Sequence, residues 1–347
     1  MHRLQRTMGL IAAATAFAAP AVAADITGAG ATFPAPVYSK WAEVYKEKTG
    51  NQLNYQAIGS GGGIKQIKVK TVDFGATDAP MTGKQLKRSD LLQFPAVIGG
   101  IVPVVNLEGV TPGQLTLDGK TLAAIFSGKI KKWDDSAIKS LNNGVSLPSN
   151  PITVVYRSDS SGTTAGFTTF LADVDPGFKD AVGAGKTVNW PTGIGGKGNA
   201  GVAANVLKLK NSIGYVEYAY AKQNEMLHAG MLNKAGKSVQ PDASSFAAAA
   251  AGADWSAEPG FGISLNNQGA DDAWPITSAS FILMYRKPEQ PEQSAEALKF
   301  FRWALNEGQE LALALDYVPL PKETVALVQA AWKEIVDGSG SPVLPSK

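Results

Sequence analysis

Three times along this chain, a short run that contains glycine and hydroxyl residues lies where a predicted strand passes into a predicted helix. The runs occupy residues 30–33, 59–63 and 160–164. Glycine lets the backbone come close to a ligand, the first turn of a helix has N–H groups without intrahelical acceptors, and Ser or Thr adds a hydroxyl there. Each run is therefore a candidate anion site, and three of them around one cavity would bind a tetrahedral oxyanion.

Strand-like segments alternate with amphipathic segments along the 347 residues, which favours an α/β architecture in which helices cover the sheets. Apolar residues at helical spacing follow each of the three runs. They are Val37, Trp41, Val44 and Tyr45 after the first run, Ile64 and Ile67 after the second, and Phe167, Phe170, Leu171 and Val174 after the third. The sequence therefore predicts that each run lies at a helix N-terminus.

Two long apolar segments, residues 94–106 and 274–285, are predicted to be buried strands that lie far apart in the chain. They fit the two crossings of a hinge between two lobes. The first lobe would comprise residues 25–103 and 279–347, and the second lobe residues 104–278. A ligand would then bind in the cleft between the lobes, where strand ends and helix N-termini converge.

The first 24 residues have the form of a secretory signal peptide. Two arginines precede an apolar stretch that runs from Met8 to about Ala19, and residues 21–23 match an Ala-x-Ala cleavage site. A membrane anchor is the alternative, but the stretch is shorter than the roughly 20 residues that span a bilayer. Because the chain has no cysteine to carry a lipid, we expect an exported, unanchored protein that begins at residue 24 or 25.

The charge balance argues against a nucleic-acid ligand. The chain has 32 Lys and Arg and 30 Asp and Glu, and the signal segment contains two arginines and no acidic residue. The mature chain is therefore formally neutral and lacks the basic face that nucleic-acid binding requires. Attraction for an anion would have to be local, from aimed dipoles and one or two cations.

The supply of reactive side chains argues against catalysis. Besides lacking cysteine, the chain has two histidines, of which His2 lies in the signal segment and His228 remains. Thiolate and clustered histidine metal sites are therefore excluded. The sequence has no Gly-x-Ser-x-Gly motif, and residues 183–187 lack the first glycine of a P-loop because Asp180 takes its place. We expect no metal, no cofactor and no enzymatic activity; a secreted phosphatase is the alternative.

Charged residues follow two of the predicted strands. Asp78 would point from a strand end into the cleft, although an Asp there is also typical of a turn that caps the next segment. Arg157 follows the apolar strand 152–156 directly before the third run, and Asp159 is placed to hold its guanidinium by a bidentate pair. A solvated Arg is the alternative. The neighbouring glycine and hydroxyl runs favour a binding role for both.

These segments together resemble the periplasmic phosphate-binding proteins of Pst-type ABC transporters. The main matching segments are residues 27–36, 59–63, 73–80 and 157–163, and further matches are residues 125–133, 195–199, 213–219 and 272–277. Each segment is moderately specific, and the ordered set is highly specific. The resemblance covers nearly all of the mature chain.

The resemblance implies a type II periplasmic binding protein fold, with two α/β lobes that close about a two-crossing hinge. It assigns eight residues to inorganic phosphate: Thr32, Phe33, Ser60, Asp78, Arg157, Ser161, Gly162 and Thr163. Phe33 and Gly162 would donate backbone N–H groups, the four hydroxyl residues would donate O–H groups, and Asp159 would support the arginine. Some relatives have Ser where this chain has Gly61 and Gly where it has Ser160, and neither difference removes a contact.

Asp78 gives the most specific expectation. An ionised carboxylate is an acceptor only, so it can face a phosphate oxygen that carries a proton. Sulfate has no proton at neutral pH and would place acceptor against acceptor in a dry site, at a cost on the order of 3–5 kcal/mol. We therefore expect Asp78 to select phosphate over sulfate, but not over arsenate, which carries the same proton.

The resemblance also implies a place in transport. Phosphate would be delivered to the transmembrane permease subunits of an ABC transporter, from a monomeric protein in the periplasm. A receptor for another oxyanion, such as sulfate or molybdate, is the alternative within the binding proteins.

Overall fold

The computed structural model describes residues 24–345, and within them the fold is mixed α/β, as the sequence predicts. The strands are Asp25–Gly30 (β1), Gln52–Ala57 (β2), Phe74–Thr77 (β3), Leu91–Asn106 (β4), Thr116–Leu117 (β5), Thr153–Arg157 (β6), Ile194–Gly196 (β7), Ser212–Glu217 (β8), Leu227–His228 (β9), Gly230–Leu232 (β10), Ser238–Val239 (β11) and Thr277–Tyr285 (β12).

The helices alternate with these strands over most of the chain. They are Ala35–Thr49 (α1), Ser60–Lys68 (α2), Gly83–Ser89 (α3), Gly119–Phe126 (α4), Ser136–Leu141 (α5), Gly162–Val174 (α6), Pro176–Ala181 (α7), Gly198–Lys208 (α8), Tyr218–Gln223 (α9), Ala243–Ala250 (α10), Pro291–Asn306 (α11), Gln309–Leu313 (α12) and Lys322–Ala331 (α13). Short 3₁₀ turns occur at Pro259–Phe261 and Trp332–Glu334.

One curled sheet extends through the fold in the order β2-β1-β3-β12-β4-β8-β6-β7. β1 is parallel to β2 and β3, whereas β12 is antiparallel to β3 and β4. At the other end, β6 is parallel to β7 and β8. Because parallel neighbours need crossover connections, helices pack beside them: α1 and α2 near β1–β3, and α8 near β6–β8.

β4 pairs with different partners along its length. Residues 91–100 pair with β12, and residues 101–106 pair with β8. Its side chains are buried up to the last residue, which is typical of a strand covered on both faces. Gly100 lies at the change of partner, where a Cβ would overlap the Phe246 ring. The predicted strands 94–106 and 274–285 thus correspond to β4 and β12.

The chain passes this point a second time just before β12. The Ile101 N–H donates to the Ile276 carbonyl at 2.8 Å, and Trp274 Nε1 donates to the Ile101 carbonyl at 2.9 Å. A hinge between two lobes would need two adjacent crossings of this kind. The predicted lobes are residues 25–103 with 279–347, and residues 104–278. The hinge and these boundaries stay predictions.

Among residues 24–345, no helix is both long enough and apolar enough to cross a bilayer. The predicted signal peptide lies, except for its residue 24, outside the described residues.

Candidate functional site

The three glycine and hydroxyl runs lie at helix N-termini and contact one another. The first run precedes α1, the second opens α2, and the third opens α6. The Gly61 N–H donates to the Ser160 carbonyl at 2.9 Å, and the Gly162 N–H donates to Ser60 Oγ at 3.1 Å. Segments about 100 residues apart in sequence therefore meet at one place, and hydroxyl and N–H donors are concentrated there.

Glycine is needed at two of these turns. Gly30 has a φ of 145° and Gly59 a φ of 91°, both in the region that favours glycine. The Gly30 carbonyl accepts the N–H groups of Ile58 and Gly59 at 2.9 and 2.8 Å, which joins the first run to the second. A Cβ on Gly59 would overlap the Asp159 carboxylate of the third run. Both glycines thus allow the runs to approach closely.

Arg157 provides a buried positive charge at the end of β6, where its side chain is 1% exposed. Its Nε and Nη2 donate to the two carboxylate oxygens of Asp159 at 2.8 and 2.6 Å, and its Nη1 donates to Thr163 Oγ1 at 3.2 Å. Burial alone would raise the pKa of Asp159, but the hydrogen bonds and charge of Arg157, with the Gly198 N–H, hold this pKa below its ordinary value. The guanidinium is therefore fixed in one orientation.

Asp78 directly follows β3, and it is 3% exposed. Its Oδ2 lies 3.5 Å from Ser60 Oγ, whereas its Oδ1 is buried and has no hydrogen-bond partner among the described residues. Burial raises the pKa of Asp78 to about 7, against the lowering effects of the Ser280 hydroxyl, the Arg157 charge and Ser60. Ser280 makes no hydrogen bond of ordinary geometry with it. A buried acceptor of this kind calls for a donor, which a ligand can supply.

Two serine hydroxyls in the site already accept hydrogen bonds from the backbone. Ser60 Oγ accepts the N–H groups of Asp78 and Gly162, both at 3.1 Å. Ser161 Oγ accepts the Thr164 N–H at 3.0 Å as the N-cap of α6. A hydroxyl has two acceptor lone pairs and one proton, so each oxygen has a proton to donate, and that of Ser60 is directed at Asp78 Oδ2 over a long 3.5 Å.

Two threonine hydroxyls accept hydrogen bonds from Asn199, a residue that is not among those predicted from the sequence to form the site. The Asn199 side-chain amide donates to Thr32 Oγ1 at 2.8 Å and to Thr163 Oγ1 at 3.3 Å, and its backbone N–H reaches Thr32 Oγ1 at 3.2 Å. Its Oδ1 accepts the Glu217 N–H at 2.9 Å. Asn199 follows a further glycine run, residues 195–198, where β7 passes into α8. That repeated pattern was the signal that could have identified it.

The backbone N–H groups of Thr32 and Phe33 make no hydrogen bond to a protein group within residues 24–345. Both residues are buried. The Ser161 N–H, in contrast, donates to the Lys186 carbonyl at 2.9 Å, and the Gly162 N–H donates to a serine hydroxyl. Of the two residues predicted to bind through the backbone, Phe33 therefore has the available N–H, and the contribution of Gly162 to an anion stays a prediction.

The nine predicted residues form one connected group of buried and half-buried residues: Thr32, Phe33, Ser60, Asp78, Arg157, Asp159, Ser161, Gly162 and Thr163. The described residues contain no cluster of three or more metal-ligating side chains. His228, the histidine of the described chain, lies on β9 with its ring against Tyr218. Chemically, the group offers many donors, one cation fixed by the Asp159 carboxylate, and the separate Asp78 carboxylate, which suits the binding of an oxyanion.

A family model and two relatives of high sequence identity all match this chain to phosphate-binding proteins or to the superfamily of their fold. A model described as a PBP superfamily domain matches residues 15–307. The phosphate-binding protein PstS of Pasteurella multocida is 55% identical over 340 residues, which cover 98% of this chain and 99% of that protein. The protein of the same name from Haemophilus influenzae is 54% identical over 313 residues, which cover 90% of this chain and 94% of that protein.

The fold is also similar to that of solved structures. The crystal structure of a phosphate-binding protein from Stenotrophomonas maltophilia matches with a TM-score of 0.68 at 21% sequence identity, over 89% of this chain and 94% of that one.

Proposed function

The chain belongs to the PBP superfamily and to the PstS family of phosphate-binding proteins, and we propose that it captures inorganic phosphate and delivers it to an ABC transporter for import. The proposed role is that of a binding protein, not an enzyme, so the energy for transport would come from the partner ATPase. Its proposed partners are the permease subunits, and its proposed location is the periplasm, where it would act as a monomer.

The observation that carries this proposal is the buried Asp78 Oδ1, an acceptor without a partner among the described residues, placed among donors. An anion in this site would meet the Arg157 guanidinium, four hydroxyl protons and the Phe33 N–H on most sides. It would meet a carboxylate on one side. Because a carboxylate can only accept, the anion must carry a proton at that side.

Phosphate meets this requirement, and sulfate does not. HPO₄²⁻ keeps a proton at neutral and mildly alkaline pH, whereas sulfate would place an oxygen lone pair against the Asp78 carboxylate. Burial raises the pKa of Asp78 to about 7, so the carboxylate is ionised and acts only as an acceptor once the pH exceeds that value. Asp78 is thus proposed as the residue that accepts the phosphate proton and selects against sulfate.

Contacts between the predicted lobes support capture by hinge closure. Gly61 of the first lobe donates to the Ser160 carbonyl of the second, and Asn199 of the second lobe donates to the Thr32 hydroxyl of the first. In such an arrangement a bound anion would be enclosed and shielded from water. Since the mature chain is formally neutral, its attraction for phosphate would come from these local donors.

Titration calorimetry tests the proposal on the mature chain, after carried-over ligand is removed by partial unfolding and refolding. At pH 8 we expect one phosphate to bind per chain, with no measurable binding of sulfate at the same concentrations. A chromogenic phosphate ester should not be hydrolysed. Equal affinity for both anions, or no phosphate binding by a correctly refolded chain, would refute the proposed function.

A further inference from the structure

Three tyrosine hydroxyls hold three consecutive carbonyl groups in the first run. Tyr55, Tyr220 and Tyr317 donate to the carbonyl oxygens of residues 31, 32 and 33, at 2.7, 2.6 and 2.6 Å. They lie on β2, on α9 and in the segment that follows α12. Three separate parts of the chain therefore fix the orientation of one short loop.

The middle hydrogen bond acts on the peptide group that contains the Phe33 N–H. In a planar trans peptide, the Thr32 carbonyl and the Phe33 N–H point to opposite sides. A hydroxyl anchored on the carbonyl therefore fixes the direction of the N–H, and it also polarises the amide and strengthens it as a donor. The Phe33 N–H makes no hydrogen bond to a protein group in the described chain, so its direction is available to a ligand.

Tyr55 and Tyr220 belong to different predicted lobes. Tyr55 lies on β2, which pairs with β1, so its hydrogen bond stays within the first predicted lobe. Tyr220 lies on α9, directly after β8, and its hydrogen bond crosses from the second predicted lobe to the first. Burial raises the pKa of Tyr220 above its ordinary value, so the hydroxyl keeps its proton and stays a donor.

We propose that Tyr220 is a positioning residue for the anion: by donating to the Thr32 carbonyl across the lobe boundary, it aims the Phe33 N–H into the site when the cleft closes. This inference rests on the proposed function. Tyr220 acts through the backbone and does not touch the anion. Because this hydrogen bond joins the two predicted lobes and would form as they close, its loss should speed phosphate release and leave the association rate nearly unchanged.

The test compares Tyr220→Phe with Tyr218→Phe as a matched control. Tyr218 lies on the same helix with its ring against His228 and Phe246, and its hydroxyl donates to no protein group in the described chain. Stopped-flow measurement should show Tyr220→Phe releasing phosphate about threefold to tenfold faster, as expected for one hydrogen bond. Tyr218→Phe should match the wild type, and both variants should keep the wild-type preference for phosphate over sulfate.

A second measurement reports on the Phe33 N–H group itself. The Phe33 amide proton should move downfield in the NMR spectrum when phosphate binds to the wild type, and should move less in Tyr220→Phe. If Tyr220→Phe releases phosphate at the wild-type rate and shows the wild-type shift of the Phe33 amide proton, the inference is overturned. It is also overturned if Tyr220→Phe and Tyr218→Phe accelerate phosphate release equally, because the effect would then come from a disturbance of the helix. Failure of the wild type to bind phosphate would overturn the proposed function as well, so the two failures are distinguishable.

Discussion

Replacement of Asp78 by Asn should change the way in which the stability of the ligand-free protein depends on pH. Burial raises the pKa of Asp78 from 3.8 to about 7 in the folded state. Between these two pH values, the folded chain holds a proton that the unfolded chain has lost. The free energy of unfolding contributed by this group is therefore largest at low pH, falls as the pH rises through this window, and is constant above it.

The size of this effect follows from the two pKa values. They differ by about 3 units, and each unit corresponds to about 1.4 kcal/mol, so about 4 kcal/mol is lost between pH 4 and pH 8. This is the value for a closed, dry site, and opening of the cleft to water reduces it. Asn carries no charge, so the variant does not undergo this loss.

Urea unfolding in phosphate-free buffers from pH 4 to pH 8 measures the difference. We expect the stability of Asp78→Asn relative to the wild type to rise across this range, by as much as about 4 kcal/mol. Asp159→Asn is the matched control: the pKa of Asp159 is lowered from 3.8 in the folded state, so its difference in stability from the wild type should stay nearly constant from pH 4 to pH 8 and change only below that range. Its carboxylate stabilises the fold above its ordinary pKa, and that contribution disappears as the pH falls through the lowered value. A pH-independent difference between Asp78→Asn and the wild type would show that the pKa of Asp78 is not raised in the folded chain.

Three further predictions concern the same site. A Cβ on Gly61 would overlap the side chain of Ser160, so Gly61→Ser alone should weaken phosphate binding, by about 1–3 kcal/mol in calorimetry, and Ser160→Gly in the same chain should restore it. Asn199→Ala removes the buried amide that holds the Thr32 hydroxyl at 2.8 Å, and should lower both the melting temperature and the phosphate affinity; a variant that matches the wild type in both would contradict this role. Since the pKa of Asp78 is about 7, the preference for phosphate over sulfate should increase from pH 6 to pH 8.5, and competition binding that shows a constant preference would count against Asp78 as the selecting group.

The parts of the site that the sequence predicts are those that depend on local rules. A hydroxyl and glycine run before an amphipathic segment indicates a helix N-terminus, and an Asp two residues after an Arg can reach its guanidinium. Those rules place Ser161 at the N-cap of α6 and Asp159 on the Arg157 side chain, as found in the structure.

The contacts that Asn199 and Tyr220 make could not be predicted in this way, because their partners lie far away in the chain. Asn199 donates to a hydroxyl 167 residues away, and Tyr220 donates to a carbonyl 188 residues away. No local spacing fixes such contacts, which depend on how β4 changes partner and brings α8 and α9 beside the first run. The compatibility of Gly61 with Ser160 is likewise visible only once the two turns are placed together.

The Asp78 carboxylate is a buried acceptor, and we propose that it selects an anion that carries a proton. The most direct test is the ratio of phosphate affinity to sulfate affinity at pH 8, measured by titration calorimetry for the wild type and for Asp78→Asn. A cost on the order of 3–5 kcal/mol for opposed acceptors predicts that the ratio falls by about a hundredfold or more in the variant. An unchanged ratio, in a variant that folds and still binds phosphate, would contradict the claim.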